Sequence, residues 1–131
     1  MAEGKIVYIV SPYAGDVEGN VEFAKAACRL AMEQGSTPVA AHLLYPQMLD
    51  DTVPKQRELG IRMGLKLLGA CSELWLCGSR VSGGMQEELK EAWRHRIPVR
   101  RIPREAVEEF LQPEPVLGGQ VQSIGCMGAG L

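Results

Sequence analysis

This sequence has no long apolar run and no excess of charge of one sign. Its apolar stretches are far shorter than the roughly 18 residues that a membrane span requires, so we expect neither a membrane segment nor an export signal. The formal net charge is only −2 over 131 residues, and basic and acidic residues alternate along the chain. A nucleic-acid polymer or an acidic membrane would select for a basic face, so we expect neither as a partner.

The sequence also lacks the spacings that hold metals and common nucleotide cofactors. Its cysteines form no C-x-x-C pair and lie mostly within apolar patterns, which favours buried free thiols and a reducing cytoplasm over disulfides or zinc. No further carboxylate or histidine follows the pair Asp50 and Asp51 at ligand spacing. Neither G-x-G-x-x-G nor G-x-x-x-x-G-K-[ST] occurs, so we expect no cofactor and no metal. The cysteines are Cys28, Cys71, Cys77 and Cys126.

The composition is that of one globular domain. Hydrophobic residues make up 46% of the chain and charged residues 23%, which is enough to bury one core and leaves little for a second. We assign residues 1–112 to an α/β domain. Residues 113–131 are rich in Gly and Pro and lack periodicity, which predicts a disordered tail or one that docks on a neighbour.

Short apolar runs alternate with helical periodicity from residue 6 to residue 111. This alternation predicts a three-layer α/β/α fold around an open, mostly parallel, Rossmann- or flavodoxin-like sheet of four to five strands. The first run is continuous and β-branched, so we place it in the centre of the sheet. The predicted strands are 6–10, 37–41, 74–77 and 97–99. The predicted helices are 20–35, with Asn20 as the cap, then 54–70, 84–93 and 104–111.

The segment after the third predicted strand points to a ligand site. Ser82, Gly83 and Gly84 link that strand to a helix, and ligands of open α/β sheets bind outside the carboxyl ends of the strands. Glu88 follows Gly84 by about one helical turn. We expect the helix dipole to keep this carboxylate ionised, which favours a nucleophile over a general acid. Two alternatives remain: Glu87 and Glu88 stabilise the first turn or face solvent, and Ser82 caps the helix.

Other candidate ligand contacts lie near the end of the first strand, in the loop that follows it, after the second strand and on the helix from Pro54. A tyrosine in a Gly-containing loop suits a sugar or a ring, a histidine after a strand suits polar recognition, and an arginine suits a carboxylate or phosphate. The competing interpretations are core packing for the tyrosines, a structural role for the histidine and a solvated position for the arginine. These candidates are Tyr8, Ser11, Tyr13, Gly15, His42 and Arg57.

With these residues, the sequence resembles those of the nucleoside 2-deoxyribosyltransferase-like superfamily, which includes nucleotide N-glycosidases and small uncharacterised relatives. The resemblance spans roughly residues 5–102 and rests on residues 8–13 with Gly15, on 38–42, on 68–77, and on Ser82 to Gly84 with Glu88 and Ala92. It implies that Glu88 attacks the anomeric carbon of a nucleoside or nucleotide and forms a covalent glycosyl-enzyme. It further implies that Tyr8 lies near the ligand and that Ser82 contacts the sugar or its 5′-phosphate.

The chain departs from the superfamily in two places, and these departures keep other functions open. Characterised members carry an acidic residue on the helix before the third strand, where this chain has no carboxylate in residues 62–66. Phosphate-binding members have a basic residue in the first loop, which residues 12–14 lack. The alternative function is therefore a protein that binds a nucleotide without converting it. A third possibility is an assembly module whose contacts use the tail and the row of arginines within residues 94–104. Related folds complete their sites across subunits, so we expect a homo-oligomer, with a dimer first.

Overall fold

The computed structural model describes residues 4–12, 15–78 and 80–111. Strands and α-helices alternate along this part of the chain, and two single turns of 3-10 helix, Ala41–Leu43 and Tyr45–Gln47, precede the second α-helix. The strands are β1 (Ile6–Val10), β2 (Thr37–Val39), β3 (Glu73–Cys77) and β4 (Val99–Ile102). The α-helices are α1 (Val17–Glu33), α2 (Pro54–Leu68), α3 (Gly83–Arg94) and α4 (Arg104–Glu108).

The sheet has four strands in the order β2-β1-β3-β4, and each neighbouring pair is parallel. Tyr8 in the middle of β1 pairs with Val39 on one side and Leu74 on the other. From β1 the chain crosses first to β2 and then back past β1 to β3. The strand order therefore reverses beside β1, and this is the position at which open α/β sheets form a crevice. The predicted α/β fold with a central first strand is confirmed.

Helices cover both faces of the sheet. Successive side chains of a strand point to opposite faces, so each strand contributes apolar side chains to both sides. Val7 and Ile9 of β1 pack against α1 and α4, whereas Tyr8 and Val10 belong to the cluster that includes the end of α2 and the buried face of α3. This gives the three predicted layers, with one apolar core on each side of the sheet. No helix in the described residues has the length and apolar character needed to cross a membrane.

The first helix begins earlier than the sequence predicted. Asn20 lies inside α1, and the cap is Asp16, whose carboxylate accepts a hydrogen bond from the Gly19 N–H at 3.1 Å. Aspartate caps as well as asparagine does, and Gly19 in the first turn concealed the helical pattern there. Gly35, with φ +82°, follows the end of the helix as expected.

The fourth strand begins later than predicted. The Ile97 N–H bonds to the Ala92 carbonyl at 2.8 Å and so closes the turn that follows α3, and the strand starts only at Val99. Its two arginines obscured the apolar pattern. They are tolerated because β4 is an edge strand, and the Arg100 guanidinium lies 5.2 Å from the centre of the Trp75 ring on the neighbouring strand.

Candidate functional site

A cavity of about 420 Å³ lies on the α2 and α3 side of the sheet. Tyr8 contributes from β1, the start of α3 contributes residues 82–85 with Glu87 and Glu88, and α2 contributes one of its faces. The segment between β2 and α2 supplies the remaining wall with residues between 41 and 51. The cavity therefore lies beside the strand-order reversal, with walls from four parts of the chain.

Tyr8 and Glu88 meet in this cavity. The Tyr8 hydroxyl donates a hydrogen bond of 2.8 Å to Glu88 Oε2. The tyrosine ring is fully buried in the sheet, because its position on β1 directs it into the core on the α2 and α3 side. Its hydroxyl is therefore a fixed donor for the Glu88 carboxylate, which lies 80 residues further along the chain on α3. Tyr8 therefore packs in the core, as one interpretation expected, and it also lines the cavity.

The Glu88 carboxyl group is more basic than an ordinary glutamate. Burial raises its pKa to about 7, and the Tyr8 hydrogen bond offsets only part of this increase. The expectation that the helix dipole keeps Glu88 fully ionised is wrong. Glu88 lies in the second turn of α3, where the dipole has faded, and desolvation penalises the charged form. Near neutral pH the group is thus present in both protonation states.

Ser82 caps α3 and also lines the cavity. Its hydroxyl accepts a hydrogen bond from the Met85 N–H at 3.4 Å, and the Met85 sulfur lies 3.3 Å from the Ser82 N–H. Gly83 and Gly84 follow with no atom within 4 Å of a hypothetical Cβ. The first turn of α3 therefore lines the cavity with open space beside its two glycines. The free N–H groups at a helix N-terminus suit the oxygens of a sugar or an anion.

The face of α2 that lines the cavity has little side-chain bulk near Tyr8. A Cβ on Gly64 would lie 3.1 Å from the Tyr8 hydroxyl, so glycine permits the close approach of helix and tyrosine. Arg57 and Gly60 are on the same face, at helical spacings of seven and four residues from Gly64. The superfamily's helix carboxylate thus has no counterpart at this point of α2.

The wall opposite α3 carries polar and charged groups. Arg57 Nε lies 3.8 Å from Asp51 Oδ1, and Gln56 Oε1 accepts the Asp50 N–H at 2.7 Å. Burial lowers the pKa of His42, although the Asp51 charge and a hydrogen bond with the Ser11 backbone oppose this. His42 is therefore a neutral imidazole at neutral pH, with one nitrogen as donor and the other as acceptor.

The structure brings most of the predicted site residues to the cavity. Ser11 and Gly15 do not line it: Ser11 is buried beside His42, and Gly15, with φ +94°, forms the turn before α1. Tyr13 falls outside the described residues. The predicted residues that do line the cavity are Tyr8, His42, Arg57, Ser82, Gly84 and Glu88.

Sequence reasoning missed part of the wall between β2 and α2. Tyr45, Asp51 and Gln56 line the cavity, although this segment showed no regular periodicity. The sequence feature that could have indicated this wall is the run of polar and aromatic residues before the helix that starts with Pro54. Within residues 4–12, 15–78 and 80–111, no cluster of metal-ligating side chains occurs, and Cys28, Cys71 and Cys77 are free thiols.

A family described as a domain of unknown function, DUF7768, matches residues 5–102 of the sequence. The chain belongs to this family. The fold is similar to that of a 2-deoxyribosyltransferase from the psychrotolerant bacterium Bacillus psychrosaccharolyticus, with a TM-score of 0.63 over 75% of this chain and 72% of that chain. The two sequences are 14% identical, so the likeness shows a common fold. No curated protein matches the sequence.

Proposed function

We propose that this DUF7768 protein transfers or hydrolyses the N-glycosyl bond of a nucleoside or nucleotide, with Glu88 as the nucleophile. The observation that carries the proposal is the pairing of Glu88 with the buried Tyr8 hydroxyl inside a cavity of ligand size. The fold shared with an enzyme described as a biocatalyst for nucleoside synthesis supports this assignment, as does the spacing of Ser82, Gly84 and Glu88.

In this mechanism the ionised Glu88 attacks the anomeric carbon and the nucleobase leaves with the electrons of the glycosidic bond. Water or a second base then attacks the same carbon and releases the sugar from the carboxylate, so two displacements retain configuration. The Tyr8 hydroxyl holds one carboxylate oxygen and leaves the other for the attack. In this proposal the backbone N–H groups at the start of α3 bind oxygens of the sugar.

The direct test is release or exchange of base from a panel of deoxynucleosides and their 5′-monophosphates. We expect Glu88→Ala to reduce the rate by several powers of ten, because it removes the nucleophile and the carboxylate that the Tyr8 hydroxyl bonds. Glu22→Ala is the matched control, since Glu22 is exposed on α1 in the opposite layer. Wild-type activity no higher than that of Glu88→Ala on every substrate would remove the proposal.

A second function, nucleotide binding without turnover, has one observation in its favour. Gly64 faces the Tyr8 hydroxyl from the cavity side of α2, and residues 62–66 around it hold no carboxylate. Calorimetry with Glu88→Gln distinguishes the two functions. Binding that is equally tight in wild type and variant, with the nucleotide recovered intact from both, supports the binding protein.

A further inference from the structure

The proposed mechanism leaves one group of cavity residues unused. Asp51 lies in the turn before α2, and Gln56 and Arg57 lie in the first turn of that helix. None of the three is needed to form or break a bond at the anomeric carbon. Arg57 precedes Gly64 by seven residues on the same helix, which is about 10 Å along the axis. Because Gly64 faces Tyr8, this group occupies the end of the cavity away from the Tyr8–Glu88 pair.

The orientation of the Gln56 amide is determined by its neighbour. Its Oε1 accepts the Asp50 N–H at 2.7 Å, and a backbone N–H can only donate, so this contact fixes which end of the amide is the oxygen and occupies one of its two lone pairs. The Nε2 group is then the end of the amide that is free of this contact, and it offers only donors. Held in this way, Gln56 serves a ligand as a hydrogen-bond donor.

Arg57 and Asp51 are close to each other without being bonded tightly. Their 3.8 Å separation is longer than a hydrogen bond, and both side chains are 64% exposed. The contact does not use the two Nη groups of the guanidinium or the lone pairs of the carboxylate. A ligand that enters the cavity can therefore be bound by the donors of Arg57 and by the acceptors of Asp51.

Together these groups present two donor side chains and one acceptor. A guanidinium pairs best with a carbonyl oxygen next to a ring nitrogen, as in the O6 and N7 atoms of guanine, and a carboxylate pairs with a ring N–H. A 6-oxopurine has both features, since its carbonyl lies between N7 and the N1–H. Adenine has an amino group at position 6 and no hydrogen on N1. In the same orientation it would set its amino group against the donors of Arg57 and Gln56, and its N1 lone pair against the Asp51 carboxylate.

We propose that Asp51, Gln56 and Arg57 form the nucleobase subsite and that this subsite selects 6-oxopurine nucleosides or nucleotides over 6-aminopurine ones. Arg57 and Gln56 donate to the carbonyl side of the base, and Asp51 accepts from its N1–H. The inference rests on the proposed function for the position of the sugar at Glu88. It adds the class of base, which neither the fold nor the DUF7768 family assigns.

The test compares deoxyinosine with deoxyadenosine, which differ only at position 6 and N1 of the base. Glu88→Gln protein is titrated with each by calorimetry, so that turnover does not consume the ligand. We expect deoxyinosine to bind about tenfold or more tightly than deoxyadenosine. Arg57→Gln in the same background should remove most of this preference. Arg62→Gln, on the same helix and outside the cavity lining, should retain it.

Equal binding of the two nucleosides, tighter binding of deoxyadenosine, or no binding of deoxyinosine at millimolar concentration would overturn the inference. Equal loss of preference in the Arg57 and Arg62 variants would overturn it too. Failure of the base subsite and failure of the proposed reaction give different results. If Glu88→Gln selects deoxyinosine and wild type releases no base, the subsite stands without the reaction. If wild type releases hypoxanthine and adenine equally well, the reaction stands without the subsite.

Discussion

Glu88 illustrates how one side chain takes its chemistry from its surroundings. The carboxyl group is desolvated in the cavity, which raises its pKa to about 7, and the Tyr8 hydroxyl hydrogen-bonds the charged form and lowers the pKa. A nucleophile needs the ionised form, whereas a general acid needs the protonated one. The pH dependence of the reaction therefore separates these two roles for the same residue.

If Glu88 is the nucleophile, kcat/KM should rise with pH below about 7 and level off above it, because the ionised fraction increases through that pKa. Tyr8→Phe removes the hydrogen bond that favours the ionised form. We expect this variant to move the inflexion to higher pH and to lower the rate at pH 7. The measurement is the pH profile of base release for both proteins.

Tyr45→Phe provides the control for Tyr8→Phe, since it also removes a hydroxyl from the cavity lining but not the one that bonds Glu88. Its inflexion should coincide with that of wild type. A rate that falls as pH rises through 7 would contradict the nucleophile and point to a general acid. An inflexion that stays in place in Tyr8→Phe would show that the hydrogen bond does not control the ionisation.

The start of α3 combines a stable helix end with an open approach to the backbone. Ser82 supplies the cap, and the two glycines after it leave the N–H groups without side chains in front of them. Glycine is a poor choice for helix stability, since alanine is better by up to about 1 kcal/mol. The cost is understandable if a ligand must approach this turn closely.

We expect Gly84→Ala to leave stability unchanged or to increase it by up to about 1 kcal/mol, because no atom lies within 4 Å of the added Cβ. The same variant should weaken nucleoside binding, since the methyl group projects from a residue that lines the cavity. Denaturant unfolding and calorimetry measure the two effects.

Gln86→Ala is the matched control, because Gln86 is exposed on the same helix and does not line the cavity. It should change neither binding nor the cavity. Unaltered affinity in Gly84→Ala would indicate that no ligand approaches the first turn of α3. A large loss of stability would contradict the open space in front of Gly84.

The pair formed by Tyr8 and Glu88 adjoins one of the two apolar cores of the protein. Tyr8 belongs to the core between the sheet and the layer of α2 and α3, and Glu88 borders that core. Folding therefore requires the Glu88 carboxyl to leave water, which couples its ionisation to the free energy of unfolding. His42 is coupled in the opposite sense, since burial lowers its pKa.

Because the pKa of Glu88 is higher in the folded protein than in the unfolded chain, protonation of Glu88 favours folding. This contribution to the free energy of unfolding is complete below the unfolded-state pKa near 4.5, and it is lost as pH rises through about 7. We expect wild type to lose up to roughly 3 kcal/mol between pH 4 and pH 9 relative to Glu88→Gln. Urea unfolding of both proteins across this range measures the difference. His42 is present in both proteins, so its opposite effect cancels. Parallel stability curves would show that Glu88 titrates normally in the folded protein.

Much of the fold was accessible from local patterns. The continuous β-branched run of β1 predicted a central strand, and the small residues from Ser82 to Gly84 predicted the link from β3 into a helix. These patterns also placed Glu88 near the carboxyl ends of the strands. They were least successful at residues 41–51, where irregular turns form one wall of the cavity and no periodicity marks which side chains turn inward.

Periodicity and turn chemistry are local properties, so the order of the elements and the position of Glu88 on its helix follow from the chain alone. The pKa of that carboxyl, its bond to Tyr8 and the meeting of Asp51, Gln56 and Arg57 do not, because each depends on which distant groups exclude water or approach within a few ångströms. Desolvation is a property of the packed molecule, and it reversed the direction of the pKa shift that the helix dipole had suggested for Glu88.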